Sequence, residues 1–585
     1  MDMLIDAIIY NHYVKAREIC RQHGIEFVCN LHEQASAIAA ESYAKVSGNL
    51  GVALVTSGPG GTNAITGTLA AWLDSTPCLF ISGQVKRADL KGGTGLRQLG
   101  VQEVDIVSMV RSVTKYAVTL TEPADVRCQL EKCVHFATTG RKGPVWIDIP
   151  LDVQAAQIDD SALLPYLPDL ESQAGKQPSE LRGQVAEVIR VLVPARRPIL
   201  FAGNGIRLAR AENEFADLVD VLGIPVMTSW LAQDLIADAH PLCMGRPGSI
   251  APRGANFAMQ NADFLLAIGA RLGTATVGYS RANFARAARK IIVDIDAAEL
   301  KKHESHADLL IHADAGDFIR TLAAEIRSTT NWNGAEWLSR CLEWKKKYPV
   351  VQPKHRMRDT PLSTYNFCDV LSDVLAEGDI IAPGSSGFAC EIFFLVHRTK
   401  RNQRILHARG LGAMGFGPPS AIGACLASGR HRTVCIDGDG GFQMNAQELA
   451  TIARLELPIK LFVLSNFGYA SIRASQTKYF SARIGADPTS GLTLPDLRAL
   501  SQAYGVKAAC IQSSENLRAR INEVLDLPGP VVCDVHVLPD EFREPTLSSI
   551  QLPDGSMASR PLEDLWPFLE REEFRKNMMI PVLED

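Results

Sequence analysis

"TVCIDGDGGFQMNAQELATIARLELPIKLFVLSN", residues 433–466, decides the fold. An apolar run from Thr433 stops at glycines, a stretch with helical spacing follows, and a second apolar run from Ile459 ends at Asn466. Strand, tight turn, helix and strand in this order make a βαβ unit with parallel strands. Taken alone, Gly438-Asp439-Gly440 reads as structure, the glycines giving backbone freedom and Asp439 capping the helix. Its distance to Asn466 adds a second reading. Asn466 stands 27 positions after Asp439, across one helix and one strand, so both side chains reach the carboxyl edge of the sheet, where open α/β folds bind ligands. Two side-chain oxygens there, with the Gly468 carbonyl, make half an octahedral shell for Mg²⁺, which phosphate oxygens and water complete. Gly440 and Gly441 let backbone N–H groups at a helix N-terminus approach a diphosphate.

The same alternation recurs outward from this stretch: "GVALVTSGPGG" then "TNAITGTLAAWL", and "RPILFAGNG" then "ENEFADLVDVLG". The chain is therefore expected to be α/β, with three Rossmann-like domains and mainly parallel sheets. Stretches rich in Pro and charge, at 167–180 and 344–361, read as linkers, and Lys345, Lys346 and Lys347 as solvated linker charge. They divide the chain into an N-terminal domain at 1–168, a central one at 180–340, a C-terminal one at 355–540 and a tail at 541–585. The first and third portions share Gly-x-Gly-Gly, a helical segment, a proline and a strand. Gly61 to Pro77 is 16 residues and Gly441 to Pro458 is 17, which suggests two related sheets flanking a different middle domain.

Composition narrows the partners. With 585 residues, 21% charged, and a net charge of -5, the chain has no basic footprint for nucleic acid and no acidic tail. No apolar run spans a bilayer, and "MDMLIDAIIYNHYVKAR" lacks the basic-then-apolar order of a signal peptide, so a cytoplasmic location is expected, away from membranes. The 13 cysteines form no Cys-x-x-Cys pair and read as buried reduced thiols, not a zinc site. His303, His306 and His312 follow no ligand spacing and read as a surface loop.

The GDG-to-Asn stretch resembles the diphosphate motif of thiamine-diphosphate (ThDP) enzymes. "NLHEQASAIAAESYAKVSGNLGVALVTSGPGGTNAITG" and "RGLGAMGFGPPSAIGA" are similar to the acetolactate synthase branch, large catalytic subunit, of that superfamily. The resemblance covers nearly the whole chain in order. It implies ThDP and Mg²⁺ as cofactors, with Gly438, Asp439, Gly440 and Gly441 at the diphosphate and Asp439, Asn466 and Gly468 on the metal. It places Glu33 beside N1′ of the aminopyrimidine, where a shared proton activates the cofactor. Without it, Glu33 reads as an acidic residue in a helix first turn. Met414 matches the bulky residue between the two cofactor rings, and Gly412 offers a carbonyl to the pyrimidine amine. Pro59 and Asn63 line the pyrimidine pocket, and Ser385 and Ser386 support the diphosphate. Gly387-Phe388 departs from the family's Gln-His pair. Family members carry a first strand and helix before this point, so the first domain is expected to lack both or to begin upstream. Glu33 and Asp439 meet across a subunit boundary in the family, which implies a homodimer or homotetramer; a regulatory subunit is left open.

"ILFAGNGIRLA", "FLLAIGARLG" and "KIIVDID" resemble the family's middle domain, which binds FAD without redox use. Arg141, Gly205, Gly245, Arg271 and Asp294 fall on matching positions, and some relatives have lost the flavin while keeping the domain. Gln102 and Lys115 match residues of the substrate channel; otherwise both read as surface polar residues. The implied reaction is decarboxylation of a 2-oxo acid, pyruvate above all, and carboligation of the acetyl unit to a second carbonyl. Val101 and Ser475 stand where the family has Phe and Trp, enlarging the acceptor site. "YASIRASQTKYF" and "PLEDLWPFLEREEF" resemble homologues linked to polysaccharide sugar modification, some of which transfer acetyl to a nucleotide-linked keto-sugar. A simple 2-oxo acid decarboxylase and a non-catalytic relative are the other readings.

Overall fold

The computed structural model describes residues 3–6, 22–168, 178–326, 334–357, 361–551 and 557–583. The chain forms two compact units. One comprises Met1–Leu170, Asp379–Cys390 and Arg404–Asp540; the other comprises Glu171–Gly378, Glu391–Gln403 and Glu541–Asp585.

The first unit holds two parallel six-stranded sheets. One uses β1 (Met3–Asp6), β2 (Phe27–Asn30), β3 (Gly51–Val55), β4 (Cys78–Gln84), β5 (Tyr116–Thr119) and β6 (Val145–Pro150), in the order β2-β1-β3-β4-β6-β5. The other uses β12 (Ile380–Ile381), β13 (Arg404–Ile405), β14 (Thr433–Gly438), β15 (Ile459–Ser465), β16 (Lys507–Ile511) and β17 (Val531–His536), in the order β13-β12-β14-β15-β17-β16. The two orders are the same permutation, as the shared glycine-to-proline pattern suggested. Every residue of β14 and β15 is buried, which is why both strands read as continuous apolar runs and not as alternation. Helices α1 (Glu33–Ser47) and α4 (Gly417–Ala427) join the two domains through small residues. A Cβ on Gly423 would lie 2.0 Å from the Ala39 carbonyl oxygen, so only glycine allows that approach. Ser42 Oγ donates to Ser420 Oγ at 2.9 Å across the same contact.

The second unit is built on a parallel sheet of β7 (Pro198–Ala202), β8 (Val226–Thr228), β9 (Phe264–Ile268), β10 (Arg289–Asp294) and β11 (Leu309–His312), in the order β11-β10-β9-β7-β8. The tail joins this unit's core: Leu562 and Phe574 pack with Phe257 and Trp344, and Trp344 Nε1 donates to Asn577 Oδ1 at 2.8 Å.

Four expectations are corrected. The first domain does not lack its first strand, since β1 pairs with β2 and β3. Four residues are too few for a hydrophobic period to show in sequence, and the expected missing helix falls outside the described residues. Lys345, Lys346 and Lys347 end helix α3 (Ala335–Lys347) instead of lying in a linker, and Lys345 Nζ donates to the Asp238 and Cys243 carbonyls. The other expected linker lies largely outside the described residues. His303 is buried, not on a surface loop, and its burial next to Lys302 and Arg281 holds the imidazole down at about 4. Nor are the cysteines uniformly buried as expected: among the described residues Cys29, Cys128 and Cys510 are half-buried.

Candidate active site

β14 ends at Gly438, and Asp439 opens the one-turn helix α5 (Asp439–Phe442). The Asp439 carboxylate accepts Gly440 N–H at 2.8 Å on one oxygen and Gly468 N–H at 3.1 Å on the other. Burial pushes it up to about 6 against these hydrogen bonds, which marks a carboxylate short of positive charge. Asn466 follows β15 directly, and its Oδ1 is buried with no hydrogen-bond partner among the described residues. Ser385 Oγ is orphaned in the same way. An unpaired buried oxygen costs about 1–3 kcal/mol, so these atoms are arranged for something else to satisfy them.

The glycines around Asp439 are required by close packing. A Cβ on Gly440 would lie 2.4 Å from the Tyr469 ring, and one on Gly441 2.0 Å from Ser386 Oγ. Gly468 stands at φ +137°, and a Cβ there would meet the Ala486 carbonyl at 2.3 Å. These residues line one pocket together with Ser386, Met414 and Phe388. Met414 presents its side chain there, 39% exposed, between Gly412 and Gly415, both at positive φ. An oxygen-lined cradle with an orphaned Asn466 Oδ1 fits Mg²⁺ and a diphosphate.

Sequence reasoning missed several supporting residues. Arg473, only 2% exposed on α6 (Ala470–Phe480), donates from Nη2 to the Asn466 carbonyl at 3.0 Å and ion-pairs with Asp540 at 2.9 Å. Asp437 accepts Ser386 Oγ–H, and burial raises its carboxyl to about 6. Glu448 accepts the backbone N–H groups of Leu31 and His32. The spacing gave no sign of these: the partners of Asp437 and Glu448 lie 51 and more than 400 residues away, and Arg473 reaches the Asn466 carbonyl only once α6 folds back over the turn after β15.

A second cluster forms around Glu33, the first residue of α1. His32 caps this helix by accepting Gln34 N–H at 3.2 Å. Glu33 is 6% exposed, and its Oε2 accepts Asn63 Nδ2–H at 3.0 Å. Asn63 and Pro59 belong to α2 (Pro59–Leu73). Gln102 joins this edge: it stands at φ +63°, and its carbonyl oxygen lies 2.5 Å from where a Gly58 Cβ would sit. Glu33 is not among the residues lining the pocket at Asp439. Asn445 links the two clusters, donating to Gln34 Oε1 at 2.9 Å and to the Gly415 carbonyl at 2.8 Å. Lys115 does not join them: its Nζ donates to the Thr139 carbonyl at 2.6 Å, and burial lowers it to about 8.

Residues 8–109 match the family described as thiamine pyrophosphate enzyme, N-terminal TPP binding domain; residues 185–322 match its central domain and residues 386–535 its C-terminal TPP binding domain. The acetolactate synthase large subunit of Cyanidium caldarium is 32% identical over 525 residues, 88% of this chain and 87% of the relative. The probable acetolactate synthase large subunit of Methanocaldococcus jannaschii is 34% identical over 519 residues, 87% and 85% of the two chains. The chain belongs to the thiamine pyrophosphate enzymes, in the acetolactate synthase family. Acetolactate synthase of Arthrospira platensis is a further member, 32% identical over 534 residues, 87% of this chain and 86% of its own. Among the described residues of this thiamine pyrophosphate enzyme, no helix is long and apolar enough to cross a membrane.

The flavin positions fit their group less well. In the central domain of this thiamine pyrophosphate enzyme, Gly205 N–H donates to the Gly269 carbonyl at 2.9 Å, and a Gly205 Cβ would lie 2.6 Å from Gly269 Cα. The glycines of "GNG" thus serve contact between two turns of the protein. Arg271 pairs with Glu299 at 3.3 Å, Asp294 Oδ1 accepts Asp296 N–H at 2.9 Å, and the Gly245 carbonyl accepts Thr228 N–H at 3.2 Å. Arg141, in the other unit, donates from Nε to Ser75 Oγ at 2.9 Å. These polar groups are engaged within the protein.

Proposed function

We propose that this enzyme decarboxylates pyruvate and joins the retained two-carbon unit to a second carbonyl compound, with ThDP held through Mg²⁺ at Asp439, Asn466 and the Gly468 carbonyl. The observation that carries the reading is the buried Asn466 Oδ1, without a hydrogen-bond partner among the described residues, beside the Asp439 carboxylate on a glycine cradle. When bound, ThDP supplies the carbon nucleophile and the electron sink that loss of CO₂ from a 2-oxo acid requires. Gly438, Gly440 and Gly441 let Ser386 and Tyr469 close onto the turn whose backbone N–H groups would face the diphosphate, and Met414 would support the cofactor from the pocket wall. Glu33, oriented by Asn63, holds the proton it shares with N1′ of the pyrimidine. In the net reaction the C1–C2 bond of pyruvate breaks, C2 bonds to the acceptor carbonyl carbon, and the acceptor oxygen takes a proton. The resemblance, in which the counterparts of Glu33 and Asp439 meet across a subunit boundary, makes a homodimer or a higher symmetric assembly part of this proposal. FAD stays outside this proposal, since the polar groups expected to hold it bond within the protein.

A second reading concerns the acceptor. Val101 is 87% exposed and Ser475 lies on an exposed face of α6, small residues at positions expected to narrow the acceptor site. They favour a bulky ketone, such as a nucleotide-linked keto-sugar, over a second pyruvate. Incubation with ThDP, Mg²⁺ and [1-¹⁴C]pyruvate, with and without ketone acceptors, tests both readings. Labelled CO₂ with acetolactate or a branched product is expected. Free acetaldehyde alone would indicate a simple decarboxylase, and no CO₂ from any 2-oxo acid a non-catalytic relative.

A further inference from the structure

We propose that Cys510, Asp534 and His536 form a site for a borderline-soft divalent cation, Zn²⁺ by its ligand chemistry, at the carboxyl edge of the third sheet. Strands β16 and β17 pair with Cys510 opposite Asp534, and His536, two residues on, points to the same face. The thiol sulfur, one carboxylate oxygen and one imidazole nitrogen lie within 4.8 Å of one another. Zn²⁺ bound at its usual 2.0–2.3 Å separates tetrahedral ligands by about 3.3–3.8 Å, within reach of side-chain rotation. Asp534 Oδ2 is already 3.0 Å from His536 Nε2. Ser465 Oγ donates to Asp534 Oδ1 at 2.6 Å, which fixes the carboxylate with Oδ2 towards His536, so that a metal entering between them replaces the Oδ2–Nε2 contact.

Cys510 and His536 are half-buried, so the site is reachable from solvent. On binding, the Cys510 thiol proton passes to water and a sulfur–metal bond forms; a fourth position is left for water. Thiolate with imidazole discriminates against Mg²⁺, whose proposed ligands at Asp439, Asn466 and Gly468 are all oxygens. The two sites are neighbours: His536 pairs with Ser465, the residue before Asn466, and its ring meets the edge of Phe467 at 5.8 Å. Occupancy would therefore restrain the turn that carries Asn466 and Gly468 and slow loading of ThDP with Mg²⁺, a consequence that rests on the proposed function.

Titrating the full-length, metal-free protein with Co²⁺ in excess Mg²⁺ reads the site without reference to turnover. A near-ultraviolet thiolate-to-cobalt band saturating at one equivalent per chain, displaced by Zn²⁺, is expected. It should vanish in Cys510→Ser and weaken at least about 10-fold in affinity in His536→Ala, both checked for native circular dichroism. An undiminished band in Cys510→Ser, or no band in the parent protein, overturns the site. Equal rates of ThDP–Mg²⁺ loading with and without Zn²⁺ overturn the coupling alone.

Discussion

Glu448 holds His32: its Oε1 accepts the His32 backbone N–H at 3.1 Å and that of Leu31 at 3.0 Å. A carboxylate from the domain carrying Asp439 thus fixes the residue that caps the Glu33 helix. Burial pushes Glu448 up to about 7, above the ordinary 4.5 of a glutamate. A carboxyl group with a raised folded pKa binds its proton more tightly in the native state, so its stabilising contribution is complete below pH 4.5 and is lost as pH rises through about 7. Glu448→Gln keeps an acceptor oxygen and removes the titration. Thermal unfolding at pH 5 and pH 8 should show the variant gaining on the parent as pH rises, by up to about 3 kcal/mol. A difference that is constant with pH would mean that Glu448 is not strained by burial.

Glu33→Gln retains a side chain that Asn63 can reach but removes the acid–base function. Turnover should fall by roughly 10²–10⁴-fold. ThDP affinity, read by tryptophan fluorescence quenching, should change little. Near-normal kcat would remove Glu33 from cofactor activation.

Asp439→Ala removes one proposed metal ligand, and Gly440→Ala places a methyl group against the Tyr469 ring, where the Cβ has 2.4 Å of room. Calorimetric titration of ThDP in the presence of Mg²⁺ should show affinity lowered by at least about 100-fold in Asp439→Ala. Chelation by EDTA should have the same effect on the parent protein. For Gly440→Ala, weakened binding is expected together with a lower melting temperature, because Tyr469 must move.

Why these residues were unevenly legible is a matter of distance along the chain. The βαβ unit from Thr433 to Asn466 could be read because its strands are buried on both faces and its turn is built of glycine. Its two ligand residues sit at the ends of strands that are consecutive in sequence and adjacent in the sheet. Glu448 could not be read, since its targets are backbone amides 416 and 417 residues away and its neighbours are ordinary helix formers. Arg473 looks like a surface helix residue until α6 folds over the turn after β15 and turns its guanidinium onto the Asn466 carbonyl. The Cys510, Asp534 and His536 group has no ligand spacing at all, because it assembles across two strands. In "GNG" the glycines allow contact with Gly269, a need that a sequence cannot distinguish from approach of a ligand.

Ser475 allows the acceptor to be tested separately from the cofactor. It is exposed on α6, two residues beyond Arg473, which anchors the helix to the Asn466 turn, so the face it occupies is fixed relative to the proposed metal site. A large side chain there reduces space for an acceptor without touching Asp439, Asn466 or Glu33. Ser475→Trp should therefore leave CO₂ release from pyruvate within about threefold of the parent. It should shift the product ratio from large ketone acceptors towards pyruvate by about 10-fold or more, since pocket shape alone discriminates by about 1–3 kcal/mol. Competition between a bulky ketone and pyruvate, with products resolved by mass spectrometry, measures the ratio directly. An unchanged ratio would place the acceptor away from α6; loss of both products together would mean that the helix, and through Arg473 the metal turn, had moved.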